Sequence, residues 1–169
     1  LVGSEMCIRD RVEASQEFFK RSSNEIPGIV IENCSSGGHR LVQPFMEIVS
    51  QASFSDAHET KAIPIIAANL HRVIRPEQSQ IWAVLRRSDD ADRLHYSLIA
   101  TLLGRMCLSG DIYDLSEEQW KIVDEGIEFY RRAADIIKYG ITVRQECTAR
   151  SYNSPVGHQL VLREYNGLG

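Results

Sequence analysis

Two short stretches of this chain carry residue types, in an order, that chemistry can use. The first is Glu32-Asn33-Cys34-Ser35-Ser36-Gly37-Gly38. Paired glycines accept positive φ and let backbone N–H groups come close to a ligand. The stretch therefore reads as an anion nest, a simple tight turn or the seat of a nucleophilic thiol. A nucleophilic Cys34 needs a histidine base, and the nearness of His39 in sequence is no evidence of a spatial pair, so that reading is disfavoured. The second stretch is Ser53-Phe54-Ser55-Asp56-Ala57-His58-Glu59. Asp56 stands between an expected strand and an expected helix. A carboxylate there serves as a proton donor if its pKa is raised; equally, it caps the helix that follows. Taken singly, the two stretches are most simply a turn and a cap.

The elements that must hold these stretches alternate between strand and helix, the order of a parallel α/β architecture. Val12 to Lys20 reads as the end of a helix. Ile29-Val30-Ile31, apolar and β-branched after Pro27-Gly28, reads as a strand buried on both faces. A second strand is expected near Glu47 to Gln51, and a helix from about Lys61 to Ile74. In that helix Pro64 must fall in the first turn, and Ile65, Ile66, Leu70, Val73 and Ile74 form the expected buried stripe. Gln80 to Leu85 is the third strand, followed by a helix from Asp90 to Leu103 with leucines at 94, 98 and 102. Met106-Cys107-Leu108 centres a fourth strand that turns at Ser109-Gly110. The last helix has the clearest signals: Ser116 as N-cap, Gln119 completing a capping box, Leu115 and Trp120 as a hydrophobic staple, and Gly140 as the stop. Four strand–helix units are half of a (β/α)8 barrel, whose complete form needs about 250 residues. After Gly140 two strand-like runs, Ile141 to Arg150 and Gln159 to Glu164, suggest the start of a separate β domain.

Composition sets the class. The chain has 169 residues, 43% hydrophobic and 25% charged, a globular balance. The net charge of −4 and the lack of a basic stripe argue against a nucleic-acid partner, and no apolar run approaches the roughly 20 residues of a membrane helix. Cys7, Cys34, Cys107 and Cys147 are widely and irregularly spaced, which suits neither a disulfide scaffold nor a zinc site. Reduced thiols make the cytoplasm the default location. Nothing indicates a metal or organic cofactor.

Read together, the two stretches resemble glycoside hydrolase family 36, the α-galactosidase family. The resemblance rests on Glu-Asn-Cys-Ser-Ser-Gly-Gly at 32–38 followed by Ser55-Asp56. It extends to Gln80-Ile81-Trp82-Ala83-Val84, Gly104-Arg105-Met106-Cys107-Leu108-Ser109-Gly110-Asp111 and Leu115-Ser116-Glu117-Glu118, and covers about residues 12 to 150. It implies an α/β fold: residues 12–140 as the C-terminal half of a TIM barrel, about strands 5 to 8, and residues 141–169 as the start of a β-sandwich domain. The implied activity is retaining hydrolysis of terminal α-galactosyl groups, with an α-galactoside oligosaccharide as substrate and a homo-oligomeric parent enzyme. Asp56 takes the family's acid/base position, Cys34 and Gly37 line the sugar subsite, and Ser36, Gly38, His39 and His58 stand around them. The nucleophile belongs to a Lys-x-Asp type motif that should precede Ile29. None occurs between Val12 and Gly28, so it is expected outside this chain.

The resemblance has departures. Many family members have Trp where Ile31 stands, Gly at His39, Phe-Asp at Leu41-Val42, and an Asp-Asp-x-Asp run where Asp56-Ala57-His58-Glu59 stands. These differences leave room for an α-N-acetylgalactosaminidase, a raffinose-type galactosyltransferase or a noncatalytic carbohydrate-binding relative. Trp82, Arg105 and Asp111, at strand ends or within strands, are expected in core or rim roles rather than at substrate.

Leu1 to Arg11 has no convincing amphipathic period and resembles a translated sequencing-adapter peptide, so it is expected to be a non-native leader. Its removal should leave the unfolding free energy of the rest unchanged. A loss above about 1 kcal/mol in urea titration, the typical cost of removing real contacts, would make it native structure.

Overall fold

The structure of the chain, a computed structural model, describes residues 2–34, 37–57, 61–147 and 156–169, with backbone alone for 2–8 and 147. It divides into two compact units, Leu1–Phe54 and Ser55–Gly169. Both are mixed α and β, and each holds a pair of parallel strands. Among the described residues no helix is long and apolar enough to cross a membrane.

The first unit opens with α1 (Val2–Glu25), so residues 2–11 are helical and run without a break into the expected helix. Its described face is largely exposed, and Phe19 meets the buried Phe45 edge-on at 6.3 Å. Strand β1 (Glu32–Cys34) then pairs in parallel with β2 (Gln51–Ser53). Between them lies the one-turn helix α2 (Gln43–Met46), with Pro44 in its first turn, where a missing N–H costs least. The apolar run 29–31 is not a strand. Val30 is 62% exposed, and only Ile31 is buried, its carbonyl receiving the N–H groups of Ser50 and Gln51. The second strand likewise falls later than the expected Glu47 to Gln51.

The second unit begins with α3 (Ala62–Leu70), which places Pro64 in its first turn as expected. The buried side of the helix is Ala62, Ile63, Ala67 and Ala68; of the expected stripe, Ile74 just past the helix is buried, Ile65, Ile66 and Leu70 are half-buried, and Val73 is exposed. A helix apolar on nearly every side gives no period from which to choose a face.

Strands β3 (Ser79–Leu85) and β4 (Arg105–Gly110) pair in parallel in register, from Gln80 opposite Arg105 to Leu85 opposite Gly110. Parallel neighbours need a crossover, here α4 (Ala91–Ala100) and a 3-10 turn at Thr101–Leu103. Ala83, Leu85, Leu94, Leu98, Leu115 and Val123 form the buried cluster between these strands and α5 (Glu117–Tyr139). Gly126 lets α5 approach α4, because a Cβ there would stand 2.9 Å from Leu98 Cδ1. Gly110 closes β4 at φ +84, where a side chain would overlap the Leu85 carbonyl.

The capping box of α5 is present in full. Ser116 Oγ accepts the Gln119 N–H at 3.2 Å, and Gln119 Oε1 accepts the Ser116 N–H at 2.9 Å. The Gln119 amide also donates to the carbonyls of Arg86, Arg87 and Asp89 at 3.4, 3.2 and 2.9 Å. One side chain thus ties the helix start to the loop after β3. At its other end α5 stops at Gly140, whose φ of −67 is not left-handed; a Cβ there would overlap the Ile136 carbonyl. Strands β5 (Ile141–Cys147) and β6 (Gln159–Glu164) form an antiparallel pair with a register shift between Thr142 and Arg144.

Ser116→Ala should cost about 1 kcal/mol, a typical N-cap loss. Gln119→Ala should cost more, because it also strips donors from three carbonyls. Urea unfolding of the two variants checks the order, and equal losses would remove the second role from Gln119.

Candidate active site

The Glu-Asn-Cys stretch is β1 itself, so its side chains alternate. Asn33 points inward at 8% exposure, while Glu32 and Cys34 lie outward and exposed. Asn33 Nδ2 donates to the Arg40 carbonyl at 2.8 Å, which closes the loop across seven residues. Outside, Gln51 Nε2 of the neighbouring strand donates to Glu32 Oε2 at 2.8 Å. Cys34 is a free, exposed thiol at the C-terminal end of β1, opposite Ser53.

Both glycines of the loop have positive φ, +74 at Gly37 and +95 at Gly38. Gly38 is constrained twice over, since a Cβ there would stand 2.7 Å from the Phe54 carbonyl oxygen and 2.9 Å from Leu41 Cδ1. Gly37 is exposed, and so is His39 in the turn that follows. The loop is therefore built against the chain just past β2 by Asn33 and Gly38, while Cys34, Gly37 and His39 face outward. Ser36 and His58 lie outside the described residues.

The Ser-Asp stretch divides at the boundary of the two units. In the second, Ser55 Oγ accepts the Ala57 N–H at 3.0 Å, a local side-chain turn that fixes the backbone on both sides of Asp56. The Asp56 carboxylate is exposed. It does not cap α3: the N-cap position is Lys61, with no side-chain hydrogen bond. Asp56 therefore does not occupy the N-cap position of α3.

Among the other described carboxylates after the strands, Asp89 and Asp90 are committed to structure, and Asp111 has an exposed partner. Asp90 caps α4 by accepting the Arg93 N–H at 2.9 Å. Asp89 accepts the Arg86 N–H at 2.8 Å and pairs with Arg93 at 3.0 Å. Asp111 faces Arg86 at 3.5 Å. Arg105 lies at the opposite end of the sheet, its Nε donating to the Glu77 carbonyl at 3.0 Å, and Trp82 is half-buried within β3. Those two residues are structural, as their positions in the strands suggest.

The helical side of the second unit holds an open hollow of about 370 Å³, lined by residues including His71, Leu103, Phe129, Ile136, Leu162 and Arg163. Sequence patterning gave no hint of it. Burial holds His71 below the usual imidazole range, while its bond to the Leu103 carbonyl opposes that shift. No carboxylate side chain lines the hollow, so it offers no acid–base pair. Arg163 is the other residue the sequence concealed: its guanidinium donates to the carbonyls of Ile136, Ile137 and Gly140, binding the exposed C-terminal end of α5 to β6.

No protein-family model and no curated protein sequence matches this chain. Solved structures do. The galactosidase domain of an α-galactosidase–sucrose kinase, AgaSK, superposes with a TM-score of 0.66 at 17% identity, over 76% of this chain and 18% of that one. A doubly substituted form of the glycoside hydrolase family 36 α-galactosidase AgaA from Geobacillus stearothermophilus, solved with raffinose, superposes with a TM-score of 0.63 at 16% identity. That match covers 80% of this chain and 19% of that one. The chain therefore has the fold of part of these α-galactosidase domains and spans about a fifth of their length.

Gly38→Ala should destabilise the first unit by about 2 kcal/mol, strain and overlap combined. Gly28→Ala, at φ +79 with nothing within 4 Å of the added Cβ, should cost only about 1 kcal/mol. Equal losses in urea unfolding would mean that the Phe54 carbonyl does not constrain the loop.

Proposed function

We propose that this chain is the C-terminal half of the catalytic barrel of a retaining α-galactosidase, together with the start of the β domain that follows it. Asp56 is its general acid/base. The observation that carries the reading is Asp56 itself: an exposed carboxylate past β2, fixed by its backbone and not spent as a helix cap, in a chain with the fold of part of two α-galactosidase domains.

In the first step the protonated Asp56 carboxyl gives its proton to the glycosidic oxygen as the bond to the galactosyl carbon breaks. A carboxylate from a segment outside this chain attacks that carbon from the opposite face and forms a glycosyl ester. In the second step the Asp56 carboxylate takes a proton from water, whose oxygen displaces the ester and restores the original configuration. Retention by this route needs the two carboxyl groups about 5–5.5 Å apart. Cys34 and Gly37, at the outward end of β1 and its loop, line the galactosyl subsite in this reading, and His39 stands toward the leaving group. The chemistry needs two carboxyl groups and no metal or organic cofactor. Alone, the 169 residues lack the nucleophile and should not turn over substrate.

Asp56→Ala in the enzyme containing this chain should slow raffinose hydrolysis by about 10²–10⁴-fold. A nitrophenyl α-galactoside, whose leaving group needs little protonation, should suffer less in the first step and accumulate the glycosyl ester. Azide, which needs no general base, should restore turnover and yield a galactosyl azide of retained configuration. Equal slowing of both substrates with no azide effect would remove Asp56 from the acid/base role.

A further inference from the structure

The C-terminal ends of β3 and β4 carry a second arrangement, in which one aromatic ring is held out into solvent. Tyr113 is 87% exposed. It sits in the 3-10 turn Ile112–Asp114, between residues that face the other way: Leu115 belongs to the buried cluster, and Ile112 packs against it. The turn is fixed from several directions. Gly110 takes a φ of +84 against Leu85, the Asp111 N–H donates to the Leu85 carbonyl at 2.9 Å, and the Asp114 N–H donates to the Asp111 carbonyl at 2.9 Å. Arg87 Nη1 reaches the Asp114 carbonyl at 3.2 Å. Exposing a tyrosine ring so fully gains nothing for folding, and the anchoring on both sides removes much of the entropy cost that binding would otherwise meet.

The same turn begins with one member of a polar pair, Asp111, whose partner is Arg86 of the loop after β3. Arg86 Nη1 and Asp111 Oδ2 are 3.5 Å apart, and both side chains are about half exposed. A surface pair of this kind adds little to stability. It leaves guanidinium N–H donors and a carboxylate oxygen available to hydroxyl groups. An exposed aromatic ring on an anchored turn that also carries charged donors and acceptors has the chemistry that recognises a sugar: the C–H face of the sugar lies on the aromatic, and its hydroxyls meet the polar groups. The position also suits substrate, because in a parallel α/β barrel ligands sit at the C-terminal ends of the strands.

We propose that Tyr113, with Arg86 and Asp111, forms a subsite that takes the non-galactosyl rings of the oligosaccharide. The proposal rests on the α-galactosidase reading and names the part of the substrate that this strand edge holds. Tyr113 supplies the stacking surface; Arg86 and Asp111 orient the hydroxyls. None of the three takes part in proton transfer, so the subsite contributes to binding and specificity.

Saturation-transfer NMR on the 169-residue chain, with raffinose and methyl α-galactoside as probes, tests it. Transfer to the glucosyl and fructosyl protons of raffinose is expected. It should fall severalfold in Tyr113→Ala and persist in Tyr113→Phe. Absence of transfer in the unmodified chain, or equal transfer in Tyr113→Ala, overturns the subsite. In the enzyme containing the chain, Tyr113→Ala should raise KM for raffinose roughly three- to tenfold, the range of one aromatic contact. kcat and the hydrolysis of methyl α-galactoside should not change. The two readings fail separately. Loss of the Asp56 dependence sinks the hydrolase mechanism, whereas an Asp56-dependent enzyme with unchanged raffinose KM in Tyr113→Ala sinks the subsite alone.

Discussion

Parallel pairing of β3 with β4 is the constraint on which the second unit depends. Two parallel neighbours cannot be joined by a tight turn, so the chain must climb back along α4 before β4 begins. That crossover puts Leu94 and Leu98, four residues apart on one helix face, over Ala83 and Leu85 of the strand. It also brings both strands to an end at the same edge, where Leu85 lies opposite Gly110. The backbones approach so closely there that position 110 excludes a side chain. The loops that follow, with Arg86, Asp89, Asp90, Asp111 and Tyr113, are gathered at that edge because the strands are parallel. An antiparallel pair would have sent them to opposite ends.

The start and the end of α5 are secured in different ways. At its start, neutral groups do the work: the Ser116 hydroxyl and the Gln119 amide satisfy backbone groups of the helix and of the preceding loop. At its end the helix carbonyls gather partial negative charge, and Arg163 from β6 donates to those of Ile136 and Ile137 and to that of the following Gly140. Burial pulls the guanidinium below its ordinary range, and the Glu77 charge opposes that shift, yet the group stays charged at any working pH. The antiparallel pair is thereby attached to the helix by a cation meeting carbonyls, in addition to apolar contact. Arg163→Met would keep most of the side-chain length and remove these donations, leaving the Ile136 carbonyl with the Gly140 N–H.

The readable parts of the sequence were those in which a local signal coincided with the tertiary demand. Ser116, Gln119, Leu115 and Trp120 announce the start of α5 because a capping box and its staple are made by the segment itself. Strand β3 is legible because seven consecutive residues, mostly apolar, are largely buried. The first unit was harder to read. Its strands are three residues long and contain Glu, Asn, Cys, Gln and Ser, so their existence depends on a partner that no local pattern contains. The apolar 29–31 run attracted the strand expectation, although pairing begins at Glu32. In α3 the choice of Ala62, Ala67 and Ala68 over Ile65 and Ile66 as the inner face is a matter of how closely neighbours approach, which hydrophobicity does not encode. Gly140 ends α5 as expected, but through lack of space rather than a left-handed backbone.

Asp56 was legible as a position but not as a role, because sequence alone gives the same aspartate to a helix cap and to a proton donor. The contrast with Asp90 shows what separates them. Asp90 lies one residue before α4, in extended backbone, with its oxygen on the Arg93 N–H. Asp56 lies six residues before the first residue of α3, and the helix begins with Lys61 at the cap position and no side-chain bond. What fixes Asp56 is the Ser55 hydroxyl acting on the Ala57 backbone, and that bond is indifferent to the protonation state of the carboxyl. In the proposed role, a group that must be an acid in one step and a base in the next gains from a place set by the backbone rather than by its own carboxyl oxygens. Among the carboxylates that follow the strands, Asp89 and Asp90 are tied to backbone N–H groups and Asp111 to a cation. Asp56, whose backbone is set by the Ser55–Ala57 bond, is the residue to which the proposed acid/base role is assigned.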